Sequence, residues 1–189
     1  MLSSASRNRA FALAIALPCL LTSTASGQKQ VDKDLKVISA YTFTMPKYRQ
    51  LMAAMVNMGK ISLRDSKVAE SMEDTENLSL DQTIAQYSAI PPVKKAITDA
   101  GLTPREFAVA QGAMLHAGMS YGMMKHYKLT PDSVSKATGV SMANLEFFRV
   151  NEAEIERMGK EMQAQMPKEA RSDEVSEDGS DDEESDSTE

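Results

Sequence analysis

Apolar residues recur at helical spacing along most of this chain. Val31, Leu35 and Ile38 mark a short first helix that ends near the stretch Tyr41, Thr42, Phe43 and Thr44. Tyr48, Leu51, Met52, Met55 and Val56 line one face of a second, from about Pro46 to Met58. Residues 60–77 are polar and acidic and support only a weak helix over Leu63 to Met72. Helices near 80–89 and 92–100 are separated by Ile90-Pro91-Pro92, because proline cannot continue a helix and constrains the residue before it. A long helix from Pro104 to about Tyr127 follows, then a short one at 131–138. The last runs from about Met142 to Gln165, with Leu145, Phe148, Ile155, Met158 and Met162 inward. No strand-like alternation competes with this pattern. It predicts an all-α fold, a compact bundle of about five to seven helices with a disordered acidic C-terminal tail.

Local punctuation supports the helices. In Leu102-Thr103-Pro104-Arg105-Glu106-Phe107, Thr103 is an N-cap, Pro104 stands at the first helical position and Glu106 closes a capping box. Leu102 and Phe107 flank it as a hydrophobic staple. Leu129-Thr130-Pro131-Asp132-Ser133-Val134 repeats the template with Ser133 in place of the glutamate, and Ser79 with Gln82 forms another capping box. Both LTP starts resemble the LTxxQ motif of periplasmic metal-stress chaperones. Glu106 and Ser133 occupy the glutamine position, so no family follows from them. Gly59, Gly101 and Gly139 are the expected helix stops.

The first 27 residues change the picture from fold to address. Arg7 and Arg9 precede the apolar run Ala10 to Leu21, and Ala25-Ser26-Gly27 offers a small-x-small cleavage site. This is the order of a secretory signal peptide, and the run is too short for a bilayer span of ~20 residues. The expectation is a signal peptide at 1–27, a helical domain at 28–166 and a disordered tail at 167–189. The mature chain would be exported, periplasmic or extracellular, with no integral membrane span. Cys19, the only cysteine, lies in the leader, so the mature chain lacks a disulfide, a thiol nucleophile and a cysteine metal site.

Charge isolates the tail. Residues 167–189 hold 11 acids against Lys168 and Arg171, while 28–166 carry a net charge near +1. With one aliphatic residue, Val175, and no aromatic, the tail cannot offset its chain entropy by burial. The absence of a basic patch argues against nucleic-acid binding.

One helix stands out chemically. Phe107 to Met124 holds no charge over 18 residues, yet includes Gly112, Gly118 and Gly122. Each interior glycine costs ~1 kcal/mol relative to alanine, which predicts close helix contacts around a central core helix. His116, Met119, Met123 and His126 share an arc of about 80° on it. Two imidazoles and two thioethers suit Cu(I), and axial His and Met suit haem. They are the candidate metal ligands. The two histidines lie ~15 Å apart along the axis, too far to share one ion. Thirteen of the 14 methionines fall in residues 28–166, so the competing and favoured reading is a methionine-filled core.

No GxSxG, HExxH or phosphate-binding loop is present, and the glutamates of the last helix read as a solvated face. The chain reads as a non-catalytic exported helical protein that binds an apolar peptide, a protein partner or an envelope component. The alternative is a copper or haem binder through the His/Met stripe. No cofactor is otherwise implied, and the oligomeric state is left open.

Overall fold

The computed structural model describes residues 25–73 and 78–165, and these form helices α1 (Ala25–Ala40), α2 (Met45–Ser62), α3 (Ser66–Glu73), α4 (Leu80–Ala89), α5 (Pro91–Asp99), α6 (Pro104–His126), α7 (Pro131–Thr138), α8 (Met142–Val150) and α9 (Glu152–Gln165). The described residues are all-α and contain no strand. Most of the expected leader and the whole acidic tail lie outside them.

Where local signals are strong, they act as read. Thr103 Oγ1 accepts from the Glu106 N–H at 3.1 Å, and the Glu106 carboxylate accepts from the Thr103 N–H at 3.0 Å. The Ser79–Gln82 box closes in the same way. Leu102 and Phe107 are both buried. Gly101 (φ +82°) and Gly139 (φ +75°) adopt the left-handed conformation that terminates a helix.

Nine described helices replace the five to seven expected, partly because the last one is split. At Asn151 the backbone leaves helical geometry (φ −105°, ψ 15°), while the side-chain amide donates to the Phe147 carbonyl at 2.8 Å. A side chain that satisfies a backbone carbonyl in this way competes with helix continuation. Gly59 is the opposite case: α2 runs through it to Ser62, because Ile61 still has core to pack against. The end of α6 carries no glycine. Lys128 takes the left-handed turn itself at φ +52°, and the Leu129 N–H reaches back to the Met124 carbonyl at 3.0 Å.

α2 packs chiefly on α5, and α6 contacts α1, α2, α4, α5, α7 and α8. Met52 and Met58 are buried and Met45 and Met55 partly so, which makes the α2 methionines core and gives them no exposed groove to line. On α1, Val31 and Leu35 are exposed, contrary to expectation, and Val37 and Ile38 make the contact with the core. Phe43, in the α1–α2 connection, meets Tyr48, Phe147 and Phe148 at ring-centroid distances of 5.9, 5.5 and 6.1 Å. Asn144 holds that connection. Its side chain accepts from the Phe43 N–H at 3.0 Å and donates to the Tyr41 carbonyl at 2.8 Å.

Candidate functional site

Near its start α6 is enclosed all round, with Phe107 to Ala110 all buried, whereas its C-terminal half is enclosed on one side only. Phe107, Ala110, Ala113, Ala117, Ser120, Tyr121 and Met124 face inward. Leu115 is 62% exposed, Met119 64% and Met123 42%, with Gly122 and His126 on the same outer face and Tyr127 just beyond. The expectation that α6 is a core helix surrounded by others therefore fails for its C-terminal half. Its apolar outer face has no described neighbour to cover it. The favoured core reading of Met119 and Met123 fails with it.

Close contact explains only the first of the three glycines. A Cβ at Gly112 would come within 3.0 Å of the Ile38 Cδ1, so this glycine seats α1. A Cβ at Gly118 would make an ordinary 3.7 Å contact with Phe148. At Gly122 a Cβ would meet nothing within 4 Å, so the close-contact explanation does not hold there. Stability alone would favour almost any other residue at that position.

Gly122 instead borders a groove between α6 and the α8–α9 pair. Gly118, Tyr121, Gly122 and Phe148 line it together with Ile155, and Lys125, Glu152 and Glu156 stand at its rim. Its volume is about 240 Å³. That is below the ~300–1,000 Å³ usual for small-molecule sites and suits one or two large apolar side chains.

The rim groups are tied together. Tyr121 Oη donates to Glu152 Oε2 at 3.0 Å, Lys125 Nζ pairs with Glu152 Oε1, and the Lys125 ammonium lies 5.9 Å from the Tyr121 ring centre. Burial raises the Tyr121 pKa, reinforced by the neighbouring Glu152 carboxylate. The hydrogen bond from Lys125, with that from Tyr121, lowers the Glu152 pKa. At neutral pH the phenol is therefore protonated and the carboxylate ionised, an arrangement that clamps α6 to α9 and supplies no poised base. Sequence reasoning passed over Tyr121 and placed Glu152 on a solvated face. Tyr121 and Lys125, four apart where the uncharged run of α6 ends, are the available signal.

The four predicted ligands are on this surface. His116 is half-buried, and Met119, Met123 and His126 are exposed. Among the described residues no three His, Cys, Asp or Glu side chains gather as a metal site. No described helix is long and apolar enough to cross a membrane.

The lowered carboxylates carry a pH prediction. Glu106, Glu146, Glu152 and Glu154 are all held below the usual 4.5 by hydrogen bonds from Thr103, Arg149, Lys125 and Arg49 respectively. A carboxylate whose folded pKa is depressed stabilises above its unfolded value and loses that contribution as pH falls. The melting temperature should be level from about pH 7 to pH 5 and fall below about pH 4.5. A thermal melt series across that range checks it, and a rise in stability on acidification would contradict the assignment.

No known protein-family model, curated protein or solved structure matches the chain.

Proposed function

We propose that the mature chain, from Gln28 to about Met166, is a single exported, non-catalytic helical domain that binds an apolar segment of a partner protein. The binding surface is the outer face of α6 with the groove beside it. Gly122 is the observation that carries this reading: it lies open within an uncharged apolar face, where its helix penalty brings no packing in return. Unspent stability of this kind is expected where a surface is shaped for a partner.

The surface also indicates the occupant's chemistry. Leu115, Met119 and Met123 offer adaptable apolar contact, and the groove accepts one or two large side chains. Lys128 at the end of α6 forms no ion pair among the described residues, so an acid following the apolar anchors would be favoured. The occupant is an amphipathic peptide segment with Leu, Met or Phe anchors at helical spacing and an acidic end. The leader's charge and apolar pattern supports delivery outside the cytoplasm, to a periplasmic or extracellular site.

The same exposure supports the second reading, capture of Cu(I) by His116 with Met119 and by Met123 with His126. One experiment separates the two. A displayed peptide library is selected on the wild-type chain, and the enriched peptides are titrated against Met119→Glu/Met123→Glu and Met119→Leu/Met123→Leu. Peptide binding should fall at least ~10-fold with the glutamates, a loss of about 1.4 kcal/mol, and survive the leucines. Failure to enrich any peptide, or equal binding by the glutamate variant, would overturn the proposal. A Cu(I) chelator competition in which both double variants lose the metal would favour the second reading.

A further inference from the structure

A second groove lies between α2 and α5, away from the α6 face. Lys60, Arg64 and Lys95 line it with Asn57, Ile61 and Asp99, and its volume is about 310 Å³. Most described cations are matched to carboxylates: Lys33 and Arg105 to Asp81, Lys47 to Glu106, Arg49 to Glu154, Lys136 to Asp132. Lys95 is matched to Asp99 within the groove. Lys60 near the end of α2 and Arg64 in the turn after it both line the groove and have no carboxylate partner among the described residues. Lys67 and Lys94 nearby have none either. The groove and its margin thus gather four unmatched cations, with Asp99 inside the groove already matched to Lys95.

The described chain ends at this groove. Lys60 Nζ donates to the Gln165 side-chain carbonyl at 3.2 Å, where α9 finishes. Residues 173–189 then carry ten acids and no base. Asp173 is eight residues beyond Gln165, a reach of up to about 28 Å when extended. We infer that the α2–α5 groove is the docking site of the chain's own acidic tail, residues 173–189. Charge complementarity selects the groove, and tethering beside it supplies an effective concentration on the order of millimolar. Each exposed pair is weak and screened by salt, so docking is reversible and ionic-strength dependent. A displaceable tail makes the groove conditionally available to another polyanionic segment.

Paramagnetic relaxation tests this on the full chain. A nitroxide is attached at Ser180→Cys in a Cys19→Ser background, and amide intensities are compared with the reduced label. At ~10 mM salt, where screening extends ~30 Å, amides of residues 57–64 and 93–99 should lose most of their intensity. They should recover at ~1 M salt, where it extends ~3 Å. Lys60→Gln/Arg64→Gln, both on the surface, should abolish the loss and leave the remaining spectrum unchanged. Broadening spread evenly over the domain, centred on Lys125 to Lys128, or retained in the double variant would overturn the inference.

Discussion

Replacing Asn144 with alanine should destabilise the protein by about 2–5 kcal/mol, because two buried backbone groups lose their partners at once. Asn144 is only 2% exposed, and it satisfies the Phe43 N–H and the Tyr41 carbonyl in a connection that has no helix of its own to do so. For a domain of this size that corresponds to a fall in melting temperature of roughly 10 °C or more. Asn144→Asp separates the two bonds. An ionised carboxylate still accepts from Phe43 but cannot donate to Tyr41, and burial raises its folded pKa. A raised folded pKa means the variant is best supported below the free value of ~3.9 and weakens as pH rises past it. Denaturant unfolding of both variants across pH checks this. An alanine variant within ~0.5 kcal/mol of wild type would show that the connection is not held by Asn144.

Phe107→Ala should cost about 3–5 kcal/mol by the same measurement, the usual range for removing a buried ring. The ring is 0% exposed and meets Tyr87 edge-to-face at 5.4 Å. It stands one turn after the Thr103 cap, where the start of α6 locks onto α4. Thr103→Ala removes the cap alone and should cost ~1 kcal/mol. The contrast separates initiation of the helix from its packing. Equal losses would mean that Phe107 acts only through the staple.

The fold was legible wherever structure follows from neighbours in sequence. The capping boxes at Ser79 and Thr103, the prolines that open α5, α6 and α7, and the stops at Gly101 and Gly139 are all local signals. Legibility ended where tertiary contact decides. Gly59 carries the chemistry of a stop, yet Ile61 keeps α2 going; Asn151 lacks the chemistry of a strong breaker, yet its side chain splits the last helix. Asn144 looks like an ordinary first-turn residue, and its partners lie about a hundred positions away.

The site was half legible for a related reason. The absence of charge from Phe107 to Met124 singles out the helix that carries the candidate site. An uncharged face reads the same whether it is covered by another helix or left open, so Met119 and Met123 read as core from sequence. Only the placement of neighbours shows that Phe148 of α8 reaches Gly118 while nothing comes within 4 Å of a Cβ at Gly122.

Gly122→Leu tests the central claim most directly, with melting temperature and peptide affinity measured on the same preparation. Leucine removes a helix penalty of about 0.8 kcal/mol and meets no neighbour at its Cβ, so the melting temperature should rise by a few degrees. The same side chain fills the groove beside α6, and affinity for the selected apolar peptides should fall at least ~10-fold. A variant that is more stable yet fails to bind is the predicted result. Unchanged peptide affinity in the stabilised variant would contradict the account.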